Sequence, residues 1–462
     1  MTTAAIVLAA GLGTRMRSRL PKVLHPLCGR PMLAYVLEAA AAATGARPLV
    51  VVSSTLEAPL RERFADAATF VVQPEPRGTG DALQVGMAAL SAGVDELLVL
   101  SGDTPLLTPA SILEVADRRR RDAAVMTLAM TRPDELDGYG RVVREGAHVL
   151  RIVEEKDASE AERALDEVNA GLYAFDAAWL ARRLADLRPS PATGELYLTG
   201  LVELARAEGL AVTALEVEDA MELHGINDRV QLALAEADLR WRILEGHLLA
   251  GVTMIDPSTV YVDADVELGQ DVVLEPNVIL HGRTTVGAGS VIGAGSQVVA
   301  STIGERCRVW ASVLEESVVE DEATIGPFAH LRAGSHIGRG AELGNFAEVK
   351  NSRLGARTKQ HHMSYLGDAV VGEGVNVGAG TITANYDGRR KHRTTIGDGA
   401  FLGVDTMLVA PLEIGEGART GAGAVVTHDV PPGKLAVGVP ARIREPRTRP
   451  PDGDKPGAPK AG

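Results

Sequence analysis

Two cysteines, Cys28 and Cys307, are too few for a disulfide framework, and neither has metal-ligand spacing. Basic residues are outnumbered as well. Sixty-one acidic against 47 basic side chains leave a net charge of −14 with no basic stripe to offset it, which argues against nucleic acid as a general partner. Long apolar runs are missing, so no segment is expected to span a bilayer, and MTTAAIVLAAG opens the chain as a strand without a charged leader region. These absences predict a soluble cytoplasmic protein that binds neither nucleic acid nor membrane. With 462 residues the chain has room for two or three domains. Its end, Pro446 to Gly462, is rich in proline, glycine and charge and is expected to be a disordered tail.

Glycine is plentiful but uneven: 27 of 50 lie in residues 251–430, which puts a domain boundary near 250. In the same stretch small apolar residues recur every six positions. Leu268, Leu274, Leu280, Val286, Ile292 and Val298 share one lattice, and Ile325, Leu331, Ile337, Leu343 and Val349 a second. Ile396, Leu402, Leu408, Ile414, Thr420 and Val426 make a third. Helices space their apolar residues by three and four and half-buried strands by two, so neither accounts for six. A solenoid of short strands and tight corners does, with one aliphatic per hexad pointing inward and glycine relieving the corner. The pattern resembles the hexapeptide repeat of left-handed parallel β-helices, three hexads to a turn, found in a large group of acyltransferases.

The first half alternates strands with helices, which implies an α/β domain, Rossmann-like, with a mainly parallel sheet and ligands at the carboxyl ends of its strands. Ala4 to Ala10 is an apolar strand ending in Gly11-Leu12-Gly13-Thr14-Arg15-Met16, a glycine turn whose N–H groups can approach phosphate. Arg15 in this loop and Lys22 after Pro21 add two cations suited to a triphosphate. Phe70 to Val72 leads into Gln73 and then Gly78-Thr79-Gly80-Asp81, which opens a helix. Leu97 to Leu100 ends at Ser101-Gly102-Asp103, facing the crevice where magnesium has to sit to bridge phosphates. Thr108-Pro109 already caps the next helix, so Asp103 is not needed as a cap. Asp228 to Leu249 reads as a helix between the two halves.

The string LAAGLGTRMRSRLPKVLH resembles the signature of sugar-phosphate nucleotidyltransferases. With KQHHMSYLGD on the solenoid, residues 1 to about 440 resemble a bifunctional family, the N-acetylglucosamine-1-phosphate uridyltransferase/glucosamine-1-phosphate N-acetyltransferases. The resemblance implies a nucleotidyltransferase domain over 1–229, a helical linker over 230–250 and a left-handed β-helix acetyltransferase domain over 251–445. It implies that glucosamine 1-phosphate is acetylated from acetyl-CoA. UMP then passes from UTP to N-acetylglucosamine 1-phosphate, giving UDP-N-acetylglucosamine for peptidoglycan and the cell envelope. Leu8, Ala9, Ala10, Gly11, Lys22, Gln73, Gly78, Thr79, Ser101 and Gly102 would bind the nucleotide, Gln73 at the uracil edge. Gly140, Glu154 and Asn169 would bind the sugar, Asp103 and Asn227 would hold Mg2+, and Arg15 and Lys22 would act in catalysis.

On the β-helix the resemblance implies a catalytic His362, with Glu348 a candidate to orient it. Arg332, Lys350, Tyr365, Asn376, Asn385 and Tyr386 would bind the sugar phosphate, and Ala379, Val404 and Ala422 acetyl-CoA. Family members often carry serine at the position of Val404 and an arginine in the last coil, where this chain reads Ala436-Val437-Gly438-Val439-Pro440. Arg442 and Arg444 are left to meet the coenzyme A phosphates. A homotrimer held by residues 256–430 is expected, because a coil has a flat flank and open ends to cover. The polar insertion Thr383 to Arg393 is then expected to lean toward the His362 of an adjacent subunit. The alternative is a single-activity sugar-1-phosphate nucleotidyltransferase with a structural or regulatory β-helix. It leaves the His362 motif and the insertion without a purpose. Zinc at His330 and His336, six apart, lacks a third histidine.

Overall fold

The computed structural model describes residues 1–445 except Leu12, Asp134, Glu135 and Ala147, so the expected tail lies outside the described residues. Contacts divide the chain into two compact units, Met1–Trp241 and Arg242–Gly462. The division falls inside the helix Arg229–Leu249, which opens on Asp228, whose Oδ1 accepts the N–H groups of Val230 and Gln231, each at 2.9 Å.

The first unit is built on a sheet of nine strands. They are β1 (Thr3–Ala9), β2 (Leu49–Ser53), β3 (Thr69–Gln73), β4 (Glu96–Ser101), β5 (Met126–Thr131), β6 (Arg141–Glu145), β7 (His148–Val153), β8 (Val168–Asp176) and β9 (Val212–Glu216). Their order across the sheet is β3-β2-β1-β4-β8-β5-β9-β7-β6. β3, β2, β1 and β4 are parallel neighbours, and β2 and β4 are buried almost throughout, as strands covered on both faces should be. β8 reverses direction and runs antiparallel to β4 and β5, so the sheet is parallel where the glycine loop lies and mixed beyond it. Register sets the crevice. Leu8 pairs with Ser101, Ala9 with Val52, and Ser53 with Gln73, so these residues share one carboxyl edge.

The second unit is a parallel β-helix of three sheets, with 12, 10 and 9 strands. Each strand pairs with its equivalent one coil on: Leu268 with Val286, Leu274 with Ile292, Leu280 with Val298. The lattice residues form the core, all of them at most 3% exposed apart from the partly buried Leu268 in the first coils. The three lattices differ in phase because some hexads lose a residue. Val286 pairs with Ile303 and Val298 with Leu314, steps of 17 and 16 where the earlier coils take 18. Ala300, Ala311 and Glu316, at these short corners, take positive φ without being glycine.

Coils stack closely enough to dictate side chains at the corners. A Cβ on Gly287 would lie 2.5 Å from the carbonyl carbon of Gly304 in the next coil, backbone that cannot yield. Gly287→Ala should therefore destabilise the β-helix by about 1–3 kcal/mol, the scale of forced overpacking. Denaturant unfolding should report this, while the unfolding of the first unit is unchanged.

Candidate active sites

At the carboxyl edge of β1 to β4 a cavity of about 300 Å³ is lined by Leu8, Ala9, Ala10, Gly11, Lys22, Gln73, Gly78, Thr79, Ser101 and Asp103, residues expected from the sequence. Gly11 has open space where a Cβ would point, whereas one on Gly13 would sit 2.5 Å from Lys22 Cβ. Glycine at 13 thus lets the loop close onto the lysine. Gly78 has φ +108°, and a Cβ there would run into the backbone of Leu196. Gln73 is buried, and its amide N–H groups donate to Gly78 O at 3.2 Å and Asp81 Oδ2 at 2.7 Å. With its NH2 committed, the acceptor oxygen of Gln73 is the atom left for a ligand. The Gly102 N–H donates to Leu8 O at 2.9 Å and ties β4 to β1.

Lys22 Nζ donates to Asp103 Oδ2 at 2.5 Å and to Asn227 Oδ1 at 3.1 Å. The two expected metal ligands, 124 positions apart in sequence, therefore converge on one cation. Ile226 N–H donates to Asp103 O at 2.9 Å and fixes that approach. A carboxylate and an amide oxygen at this spacing fit magnesium, which takes few protein ligands and keeps water and phosphate oxygens for the rest.

Arg15 is exposed and does not line the cavity; its guanidinium instead approaches Gly138. Gly140, Glu154 and Asn169 lie outside the cavity lining but close to one another: the Asn169 N–H donates to Gly140 O at 2.8 Å, and Glu154 Oε2 is 3.6 Å from the position of a Gly140 Cβ. Burial pushes the Glu154 carboxyl up, and Thr199 Oγ1 donates to it at 2.9 Å. Sequence reading missed Thr199 and also Glu195 and Tyr197, which line the nucleotide cavity. GELYLTG carries no spacing or charge pattern that would have singled them out.

On the β-helix, His362, Asn376, Ala379, Val404 and Ala422 line a second cavity with Lys359, His361 and Phe401. The adjacent histidines differ in their bonds. His361 Nε2 lies 2.8 Å from Glu342 Oε2, while the His362 ring makes no hydrogen bond among the described residues. Glu348 does not reach His362: its carboxylate accepts from Arg332 at 3.0 Å, because both side chains project from the same sheet one coil apart. Lys350 is held below the ordinary lysine value, first by the adjacent Lys391 and its charge, then by desolvation and by Arg332. Asp368 pulls the other way, and Glu348 already accepts from Arg332, so the cluster is partly neutralised within the chain. Lys391 belongs to the cationic insertion, so composition hinted at its role but not its place. Tyr365 lies over Gly367, where a Cβ would strike its hydroxyl, and Asn385 Nδ2 donates to Asp368 Oδ2 at 2.6 Å. Tyr386 is exposed. Arg444 lines a further cavity with Arg419, and Phe401 and Thr420 line both this and the His362 cavity; Arg442 lines neither.

His330 and His336 pair with Glu315 and Glu320 respectively, and no metal-holding cluster of His, Cys, Asp and Glu occurs among the described residues.

A glycine-loop crevice on an α/β sheet, with a histidine cavity on a hexapeptide β-helix in the same chain, defines a nucleotidyltransferase that is also an acyltransferase. Residues 5–188 match the family of MobA-like NTP transferase domains. Three proteins called bifunctional protein GlmU match along almost the whole chain. That of Heliobacterium modesticaldum is 44% identical, covering 94% of each chain. That of Pelotomaculum thermopropionicum is 47% identical, covering 89% of this chain and 90% of its own. That of Rubrobacter xylanophilus is 46% identical, covering 95% and 93%. The chain belongs to the bifunctional GlmU family, the acetyltransferase/uridyltransferases that make UDP-N-acetylglucosamine.

Removing Asp103 takes away the shorter of the two bonds that converge on the Lys22 cation. Asp103→Ala should lower uridylyl transfer at least ~10²-fold, the scale of losing one electrostatic contact to a transition state. Acetyl transfer assayed on the same preparation should be unchanged, and equal loss of both would mean misfolding.

Proposed function

We propose that the β1–β4 crevice performs uridylyl transfer and the His362 cavity acetyl transfer. The convergence of Asp103 and Asn227 on one cation beside the glycine loop is the observation that carries the first assignment. An oxygen of N-acetylglucosamine 1-phosphate attacks the α-phosphorus of UTP and pyrophosphate leaves, without a covalent intermediate on the protein. Gln73 Oε1 accepts the N3–H of uracil, an atom that cytosine lacks in its neutral form, and this favours UTP over CTP. The glycine loop gives its N–H groups to the phosphates, Lys22 offsets charge within the cavity and Arg15 from the exposed loop outside its lining, and Gly140, Glu154 and Asn169 bind the sugar. Mg2+ held by Asp103 and Asn227 would supply charge stabilisation at the phosphates.

In the second site the amine of glucosamine 1-phosphate attacks the acetyl thioester of acetyl-CoA. Neutral His362 takes the amine proton as the C–N bond forms and gives it to the departing sulfur as the C–S bond breaks, so that coenzyme A leaves as its thiol. The free ring of His362, against the paired ring of His361, is what favours it as the base. Arg332, Lys350 and Lys391 bind the sugar phosphate, with Tyr365, Asn376, Asn385 and Tyr386 around the sugar. Acetyl-CoA runs along Ala379, Val404 and Ala422 toward Arg419 and Arg444, whose charges meet its phosphates. Such substrates belong to the cytoplasm, and no helix among the described residues is long and apolar enough to cross a membrane.

A homotrimer of β-helices is the assembly we favour. Phe328, Phe346 and Met363 occupy equivalent corners of successive coils and are 57, 60 and 65% exposed, with the two phenyl rings stacked at 5.5 Å. An apolar ridge of this length calls for a partner. Sedimentation should give three chains, and Phe328→Glu with Phe346→Glu should weaken the trimer; an unchanged trimer would remove the ridge from the interface.

His362→Ala should abolish most acetyl transfer, by about 10²–10⁴-fold for loss of a general base, and leave uridylyl transfer to supplied N-acetylglucosamine 1-phosphate intact. His361→Ala should be mild. The reverse pattern would move the base to His361.

A further inference from the structure

From Leu268 to Val426 the inward lattice positions of the β-helix are aliphatic with three exceptions: Gln360, Thr383 and Thr420. All three are almost completely buried, and all three fall in the coils that carry the His362 cavity and the insertion. Each also bonds the site's own backbone. Thr383 Oγ1 accepts the N–H of Gly367, two residues after Tyr365, at 2.8 Å. Thr420 Oγ1 accepts the N–H of Gly403, beside Val404, at 2.9 Å.

Gln360 is the costliest of the three. It occupies the column directly above Leu343, is 0% exposed, and its Oε1 has no hydrogen-bond partner among the described residues. An unsatisfied buried acceptor lowers stability, and an aliphatic side chain of similar size would suit the column better. Coil packing therefore gives no reason for glutamine here. Its amide does give one: Nε2 donates to Ser364 Oγ at 3.0 Å and lies 3.4 Å from Ser364 O, and Ser364 Oγ donates to His362 O at 2.9 Å. From inside the coil, this chain of bonds closes the two ends of the corner formed by His361, His362 and Met363.

We propose that Gln360 is a positioning residue for acetyl transfer, an internal tie that fixes the backbone of His362 through Ser364 at the expense of coil stability. The proposal rests on His362 being the base. A base displaced by a fraction of an ångström loses alignment with the amine while the substrates still bind, so the effect belongs in kcat rather than KM.

Gln360→Leu in the full-length protein tests it. Acetyl-transfer kcat should fall about tenfold or more, with KM for both acetyl-transfer substrates and the rate of uridylyl transfer unchanged. The melting temperature should stay equal or rise, because leucine restores the aliphatic column and removes the unsatisfied acceptor. Ser364→Ala should lower kcat in the same way, and the double variant should be no worse than the more damaged single one, since both act through one network. Wild-type kcat in Gln360→Leu overturns the proposal. So does a loss of kcat that comes with a lower melting temperature or a raised KM, which would make Gln360 a structural residue. His362→Ala assayed alongside separates the two ideas. If that variant keeps acetyl transfer, the base assignment fails and the proposal with it; a dead His362→Ala beside a fully active Gln360→Leu sinks the proposal alone.

Discussion

Each coil of the β-helix has to bury one side chain per hexad against its equivalents above and below. Leu274 and Ile292, or Leu331 and Val349, are register partners at zero exposure, so the column passes position from coil to coil. This packing fixes which residue reaches each corner, His362 among them. His362 lies in its cavity because Leu343, Gln360 and Val377 set the register of the coils around it. A slip of one residue would turn inward side chains out along a whole strand.

The first unit meets a different demand, the convergence of distant segments on one charge. β1 and β4 are parallel neighbours, which brings the glycine loop and Asp103 to the same edge, and the Ile226–Asp103 backbone bond brings Asn227 beside them. Lys22 completes the arrangement as a cation among oxygens suited to a metal. Charge is balanced there before any substrate binds. On the β-helix the balance is partial: Lys391 and Arg332 hold Lys350 below its ordinary value, while Glu348 accepts from Arg332 and Asp368 draws Lys350 back.

The sequence revealed most where geometry repeats or chemistry is dense. A six-residue aliphatic period has one structural solution, and the glycine loop with Lys22 and Asp103 has few, so both units and most of the nucleotide cavity were legible. The change of phase from the first lattice to the second came from shortened corners such as Ala300 and Ala311, whose residue types do not announce a positive φ, and the insertion adds to the change that follows. Tyr197 and Glu195 reach the nucleotide cavity by tertiary packing alone. Glu348 was expected near His362 but bonds Arg332, a choice between two nearby cationic or titratable partners that spacing does not make. The reversal of β8 was equally hidden, since an apolar strand reads alike in either direction.

The insertion after Thr383 leaves the columns on either side of it untouched. Val371 still pairs with Ile396, and Asn376 with Phe401, although these steps are 25 residues long where Arg353 reaches Val370 in 17. The coil treats the extra chain as an appendage and not as part of its pitch. Loop length and loop content are thus free variables in this architecture. Lengthening such a loop costs only a slowly growing closure entropy, about 0.6 kcal/mol per doubling. Residues on the insertion can therefore change while the pairing of the coils on either side stays as it is. What the loop presents and what keeps the shaft in register are thus written in separate residues.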